Sequence, residues 1–165
     1  MRKVALVAVD VRSTHNVGAF FRTAEGFGAE IVLVGITPRP SGDSTDERLP
    51  HVIKKADQAI NKTALGAEQL VRWSYFNTYT EAFSALRTDG FTIVAIEQGD
   101  RSVALSEMSM DNDIALVMGP EVEGLSREIL DACDTILEIP MSGQKESFNV
   151  SVAAGIALYQ SRLIP

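Results

Sequence analysis

Short apolar runs without polar alternation recur along the chain, and each ends in a polar or glycine-containing stretch. Such runs are typical of strands that are covered on both faces, as in a parallel sheet, because strands with one solvated face alternate apolar and polar residues. We therefore predict buried strands at residues 4–9, 31–35, 72–76, 91–96, 114–118 and 135–139.

Helical patterns separate these runs. Asn16 is a residue type that caps helices, and we predict a helix over residues 17–27 that Gly28 ends. Further helices are predicted at residues 54–61, 80–87, 126–132 and 149–162. The last of these is apolar on almost every side, and such a helix has to be buried on more than its core face. A homodimer interface is the simplest cover for it.

The alternation of strands and helices predicts an α/β fold, with a mostly parallel sheet covered by helices on both faces. Parallel strands bring the loops that follow them to one edge of the sheet, where open α/β folds bind their ligands. The loops at residues 96–99, 119–124 and 139–147 follow three of the predicted strands. We expect these loops to converge on one binding site.

The chain has 165 residues, of which 45% are hydrophobic and 22% charged, and its formal net charge is −7. This composition suits a single domain over residues 1–165, and the acidic balance argues against a protein that coats nucleic acid non-specifically. Residues 1–62 carry a net charge of +2, whereas residues 63–165 carry −9. A surface facing nucleic acid would thus draw on the amino-terminal part, although most of these cations taken singly suit a solvated surface. The candidates are Arg12, Arg22, Arg39, Arg48, Lys54, Lys55 and Lys62.

Cys133 is the single cysteine, which excludes a disulfide within the chain, and the sequence opens without a cationic leader that has an apolar core. The expected location is therefore a reducing cytoplasm. No apolar run approaches the length that spans a membrane. His15, His51 and Cys133 are isolated from one another in the sequence, so no metal site is predicted.

Three ordered segments point to a family. Residues 16–28 (NVGAFFRTAEGFG), 116–126 (LVMGPEVEGLS) and 139–159 (IPMSGQKESFNVSVAAGIALY) resemble the three signatures of the SpoU/TrmH-type RNA ribose 2′-O-methyltransferases, a branch of the SPOUT superfamily. The resemblance implies a C-terminal deep trefoil knot, S-adenosylmethionine as the methyl donor without a metal, and a homodimer through the C-terminal helix and knot region. It also implies tRNA or rRNA as the partner, with no added RNA-binding domain in residues 1–165.

The same resemblance assigns the methyl-donor site. Its donor-binding positions correspond to Gly119, Ile139 and Phe148, with Ile96, Met141 and Gly143 beside them. The assignment is physically reasonable, because adenine has a flat apolar face that suits isoleucine and phenylalanine, and its edge needs backbone partners such as a glycine loop presents. The simpler alternative is that Ile139 and Phe148 are core residues near a turn.

The reactive-centre positions of the family correspond to Asn16, Arg22, Glu121, Ser147 and Asn149. The family implicates the first-signature arginine, here Arg22, in removing the proton of the ribose 2′-hydroxyl, although a guanidinium is almost always protonated. We expect Arg22 to bind the adjacent phosphate and to stabilise the developing alkoxide, with a phosphate oxygen or the arginine itself as the proton acceptor.

The remaining members of this set have supporting roles. We expect Asn16, Ser147 and Asn149 to orient Arg22 or the ribose, and helix capping is the simpler role for each. Glu121 is expected to fix the arginine or the knot loop, whereas Glu123 is expected to be solvated. The second signature has Pro120 where many relatives carry asparagine, so the details of its loop are open.

Two other hypotheses stay open. A non-catalytic RNA-binding or scaffold protein that retains the knotted fold fits the acidic balance, whereas the intact set of Asn16, Arg22, Ser147 and Asn149 argues against it. A nucleotide-binding α/β oxidoreductase or hydrolase fits the alternation of strands and helices alone. The chain has neither the G-x-G-x-x-G pattern after its first strand, which such an oxidoreductase would need, nor the nucleophile elbow of such a hydrolase.

Overall fold

The structure is a computed structural model that describes residues 2–42, 46–108, 112–145 and 147–163. Its strands in this part of the chain are Val4–Val9 (β1), Glu30–Val34 (β2), Trp73–Phe76 (β3), Phe91–Ile96 (β4), Val103–Ala104 (β5), Asp113–Met118 (β6) and Thr135–Glu138 (β7). The α-helices are Thr14–Phe27 (α1), Pro50–Ala64 (α2), Tyr79–Thr88 (α3), Arg127–Ala132 (α4) and Val150–Leu163 (α5). None of the described helices is long and apolar enough to cross a membrane.

The strands form one parallel sheet in the order β3-β2-β1-β6-β4-β7-β5. The six predicted strands are confirmed with ends shifted by no more than one residue. The prediction missed β5, because its two residues are too few to show a pattern. The α/β class with a parallel sheet is therefore confirmed. The trefoil knot stays a prediction, since strand order and pairing do not define how the chain threads.

Both faces of the sheet are covered, and the interior strand β1 shows how. Its residues alternate between two separate hydrophobic clusters, with Val4, Leu6 and Ala8 on one side and Ala5, Val7 and Val9 on the other. The first cluster includes residues of α1, α2 and α5, and the second includes residues of α3 and α4. All six residues of β1 are buried, which explains an apolar run without polar interruption.

Helix α1 begins earlier than the sequence predicted. Ser13 is its N-cap residue, and the Ser13 hydroxyl accepts a hydrogen bond from the backbone N–H of Asn16 at 3.3 Å. The prediction that Asn16 caps the helix was therefore wrong, and Asn16 lies inside the first turn, where it is only 5% exposed. The predicted end is confirmed, because Gly28 closes the helix in the left-handed conformation with φ of 60°.

Helices α1 and α2 pack closely at Gly18. A Cβ atom added to Gly18 would overlap the Thr63 hydroxyl and the Ile60 carbonyl oxygen of α2. Thr63 also donates a hydrogen bond to the carbonyl oxygen of His15 at 2.9 Å, across the same contact. A glycine in the first signature thus allows α2 to lie directly against α1. Helix α2 is also longer than the predicted residues 54–61.

Candidate active site

A cavity of about 430 Å³ opens at the carboxyl ends of β4, β6 and β7. The segments that follow these strands form its walls together with the start of α5, at residues 96–98, 118–124, 139, 147–150 and 153. The expected convergence of the loops after these strands at one edge of the sheet is confirmed. The cavity volume falls in the range of small-molecule sites.

Four of the six positions assigned to the methyl donor line this cavity: Ile96, Gly119, Ile139 and Phe148. Phe148 is 40% exposed, so its ring remains available on the cavity wall. Met141 and Gly143 lie farther along the loop that follows β7 and do not line the cavity. Their donor-binding role stays a prediction.

Two glycines allow the backbone to pass closely through the second signature. A Cβ atom on Gly119 would lie 2.8 Å from the backbone nitrogen of Leu125. At Gly124, where φ is +69°, a Cβ atom would lie 2.7 Å from Oε2 of Glu97. A side chain at either position would displace its neighbour, so the shape of this wall depends on glycine.

Glu97 is a lining residue that sequence reasoning did not single out. Its carboxylate accepts hydrogen bonds from the backbone N–H groups of Leu125 at 3.0 Å and Gln98 at 3.1 Å. Its own backbone N–H donates to the carbonyl oxygen of Leu137 at 3.0 Å. Glu97 therefore ties together the segments that follow β4 and β6 and the strand β7. Its position directly after a buried strand was the signal that the sequence offered.

Asn16 and Glu121 join the first two signatures. The Asn16 Nδ2 atom donates to Oε1 of Glu121 at 2.9 Å, and the same oxygen accepts the backbone N–H of Ser13 at 3.1 Å. Oε2 of Glu121 accepts the backbone N–H of Arg12 at 3.2 Å. Within this chain Glu121 thus fixes the segment before α1 and does not fix Arg22. The hydrogen bond from Asn16 orients Glu121.

These hydrogen bonds determine the charge of Glu121. Burial alone would raise the pKa of its carboxyl group, but the hydrogen bonds from Asn16 and from the backbone N–H groups of Arg12 and Ser13 outweigh burial. The net effect is a pKa below the ordinary value of a glutamate. Glu121 is therefore a stable carboxylate that organises the site, and it is a poor proton acceptor at neutral pH.

Asn149 and Ser147 also line the cavity. Asn149 directly precedes α5, and its Oδ1 atom accepts the backbone N–H of Ser151 at 2.9 Å, as a helix-capping side chain does. Ser147 and Asn149 are both exposed residues of the cavity wall. Capping and a reactive-centre role are compatible for Asn149, because its amide nitrogen stays available to a ligand.

Arg22 stands apart from the other reactive-centre positions. It lies on α1 with an exposed side chain, and it does not line the cavity of its own chain. Within the described residues it has no hydrogen-bond or salt-bridge partner. Residues on the outer side of α5 are exposed as well, with Val152 at 49%, Tyr159 at 55% and Leu163 at 56%.

The fold and this cavity define an α/β protein with a candidate ligand site at the carboxyl edge of a parallel sheet. The sequence profile described as the SpoU rRNA Methylase family matches residues 3–159. The chain therefore belongs to that family, and the family predicted from the three signatures is confirmed.

Similar proteins act on both kinds of RNA. The chain is 34% identical over 157 residues to the 23S rRNA (guanosine-2′-O-)-methyltransferase RlmB of a Burkholderia species, covering 94% of this chain and 58% of that protein. It is 30% identical over 158 residues to the tRNA (guanosine(18)-2′-O)-methyltransferase of Borreliella burgdorferi, covering 94% and 64%. The chain thus spans less than two thirds of either relative.

The fold has a close counterpart among solved structures. The AdoMet-bound rRNA methyltransferase from Sinorhizobium meliloti matches the chain with a TM-score of 0.80. The match has 24% identity and covers 98% of this chain and 56% of that one, so it bears on the fold.

Proposed function

We propose that the chain is an S-adenosylmethionine-dependent RNA methyltransferase that transfers a methyl group to a ribose 2′-hydroxyl of tRNA or rRNA. The observation that carries this proposal is the cavity, in which residues of the second and third signatures form the walls and Glu121 connects the first. The names of the two relatives support ribose methylation and leave both RNA classes as substrates. A cytoplasmic location accompanies this proposal.

The lining of the cavity suits the methyl donor. Ile96, Ile139 and Phe148 offer apolar surface for adenine. Glu97, Glu121 and Glu123 place three carboxylates in the wall, and the lining residues that the structure describes include no lysine or arginine. An anionic wall favours a cationic sulfonium compound and disfavours the polyphosphate of a dinucleotide. The charge therefore supports a methyltransferase over a nucleotide-dependent oxidoreductase.

The reaction requires little covalent chemistry from the protein. The ribose 2′-hydroxyl gives its proton to an oxygen of the adjacent phosphate or to Arg22, and its oxygen forms a bond to the methyl carbon. The bond from that carbon to sulfur breaks, and S-adenosylhomocysteine leaves as a neutral thioether. The rate depends on holding the hydroxyl in line with the methyl group. In this proposal Ser147 and Asn149, which line the cavity, bind the ribose, while Glu121 keeps the wall in position. Arg22 stabilises the developing alkoxide and the adjacent phosphate.

The working unit of this proposal is a homodimer. Arg22 lies outside the cavity of its own chain, and the exposed apolar residues Val152, Tyr159 and Leu163 of α5 offer a surface for a second copy. In this proposal a second copy packs on this surface, and its Arg22 completes the cavity of the first. Such an isologous arrangement yields two equivalent sites, each built from both chains.

Two measurements test the proposal. Calorimetry with S-adenosylmethionine is expected to show binding, and the variant Phe148→Ala is expected to weaken that binding. Mapping of ribose methylation in total RNA is expected to reveal a modification that is present in cells with the gene and missing in cells without it. If the chain binds no donor, and if ribose methylation is the same in cells with and without the gene, the result would instead support the non-catalytic RNA-binding or scaffold protein.

A further inference from the structure

Arg12 lies at the rim of the donor cavity. It stands between β1 and α1, and its Nη2 atom is 3.5 Å from Oε1 of Glu123, a residue of the cavity wall. The two side chains are 66% and 58% exposed. An exposed pair of this kind is weak, because solvent and salt screen it, and its arginine exchanges one anion for another at little cost.

The backbone beneath Arg12 is fixed although its side chain is free to move. Oε2 of Glu121 accepts the backbone N–H of Arg12, and Oε1 accepts that of Ser13. The hydrogen bond from Asn16 holds the same carboxylate in place. The base of the Arg12 side chain is thus anchored to the cavity wall, and the guanidinium projects from a known position. This arrangement suits a residue that has to meet a ligand at the rim.

The charge of the cavity creates a need for such a residue. Glu97, Glu121 and Glu123 line it, and an RNA backbone that brings a ribose to this wall adds further negative charge. Repulsion between them has to be offset by a cation beside the wall. Among the described residues, Arg12 is the cation that an ion pair places against a lining residue.

Two other basic candidates are already engaged. Arg39 and Arg48 both form salt bridges with Asp46, at 3.2 Å and 2.6 Å, and their side chains are only 12% and 24% exposed. Arg48 also donates to the carbonyl oxygens of Arg39 and Pro40, so it holds the loop that follows β2. These two arginines serve the fold of that loop, which leaves Arg12 as the better candidate beside the cavity.

We propose that Arg12 binds a backbone phosphate of the RNA substrate at the cavity rim, and that this phosphate replaces Glu123 as its partner. The inference rests on the proposed function and adds a phosphate contact on the same chain as the donor cavity. A guanidinium binds phosphate through two parallel N–H···O bonds, which gives the contact direction as well as charge. Glu123 then holds Arg12 ready in the absence of RNA.

The test measures the RNA affinity of the full chain by filter binding at several salt concentrations, with tRNA and rRNA from cells that lack the gene as probes. Arg12→Ala is expected to weaken binding about tenfold and to reduce the slope of log affinity against log salt by about one. Arg12→Lys is expected to retain most of the slope. Glu123→Gln is expected to tighten binding about twofold, because the carboxylate no longer competes with the phosphate.

A matched pair at the opposite edge of the sheet provides the control. Arg72 and Glu30 lie before β3 and at the start of β2, and they form a loose ion pair at 3.8 Å in which Arg72 is 86% exposed. Arg72→Ala and Glu30→Gln make the same charge changes as the test variants. Both are expected to leave RNA affinity and its salt slope unchanged, and Arg12→Ala, Arg12→Lys and both control variants are expected to bind S-adenosylmethionine as the wild type does.

Each outcome decides the inference. Equal RNA affinity and salt slope in Arg12→Ala and Arg72→Ala would overturn it, as would a wild-type chain that binds neither RNA. Loss of donor affinity in Arg12→Ala would overturn it too, since Arg12 would then organise the cavity. RNA binding that depends on Arg12, in a chain that transfers no methyl group, would support this inference and contradict the proposed catalytic function.

Discussion

Asn16 and Glu121 lie 105 positions apart in the chain, yet Nδ2 of Asn16 donates to Oε1 of Glu121 at 2.9 Å. The same carboxylate accepts the backbone N–H groups of Arg12 and Ser13. One side chain of the second signature thus positions the start of α1 against the cavity wall. The proposed reaction does not use Glu121 as a base. These contacts give its carboxylate a structural role instead.

Glu121→Ala is expected to affect both stability and activity. The change leaves the buried amide of Asn16 and two backbone N–H groups without their acceptor, so the free energy of unfolding is expected to fall by about 1–3 kcal/mol. Methyl transfer is expected to fall about a hundredfold, because the wall of the cavity shifts. Urea unfolding and single-turnover methyl transfer measure these effects.

Glu123→Ala is the matched control for stability. Glu123 pairs with the exposed Arg12, and removal of an exposed pair is expected to change the free energy of unfolding by less than about 1 kcal/mol. Equal losses of stability in the two variants would contradict the role assigned to Glu121.

The stabilisation by Glu121 is expected to depend on pH. Its pKa is lower in the folded chain than the ordinary value, so the folded state binds this proton less tightly than the unfolded state does. The carboxylate therefore contributes stability above about pH 4.3, and this contribution is lost as the pH falls through the lowered pKa. The difference in unfolding free energy between wild type and Glu121→Gln should be constant from about pH 7 to 5 and should shrink below that range. A difference that grows as the pH falls would show that folding does not lower the pKa of Glu121.

Gly18→Ala is expected to destabilise the chain by about 1–3 kcal/mol, because the added methyl group overlaps Thr63 and the backbone of Ile60. Gly26 lies in the same helix, and a Cβ atom added there would meet nothing within 4 Å. Gly26→Ala is therefore expected to be neutral or stabilising by about 0.5–1 kcal/mol. Thermal unfolding of both variants measures the contrast. Similar melting temperatures would mean that α1 and α2 do not pack as closely as described.

Gly124→Ala is expected to weaken donor binding about tenfold. Its added methyl group would push against the Glu97 carboxylate from a backbone with φ of +69°, so the hydrogen bond from Leu125 to Glu97 is disrupted. Gly99 follows Glu97 in the neighbouring turn and has open space around it, so Gly99→Ala is expected to bind the donor as the wild type does. Calorimetry with S-adenosylmethionine compares the two. Unchanged binding of S-adenosylmethionine in Gly124→Ala would mean that this wall is not part of the donor site.

Arg22→Ala is expected to abolish methyl transfer and to leave donor binding nearly intact, because Arg22 does not line the cavity of its own chain. Asn149→Ala is expected to abolish transfer through the other half of the shared site. A purified heterodimer of these two variants, co-expressed with different tags, has one intact site and should show about half of the wild-type activity. If Arg22 acted within its own chain, both sites of that heterodimer would lack a residue and no activity would return.

Local sequence predicted the elements well and the contacts at their ends less well. The strands were found because burial on both faces of a parallel sheet leaves uninterrupted apolar runs. The start of α1 was misplaced because Ser13 and Asn16 are both good capping residues. Glu121, more than a hundred positions away, decides between them, since it binds Asn16 and leaves Ser13 to cap the helix.

The sequence by itself determined the family, the order of the longer strands and helices, and the edge of the sheet where the candidate site lies, because all three follow from local patterns and ordered signatures. Only the tertiary structure decided which side chains meet at that edge. It brought Glu97 to Leu125 and Arg12 to Glu123, and it left Arg22 outside the cavity. Such contacts depend on which strands become neighbours, and no local pattern encodes the sheet order that places β6 between β1 and β4.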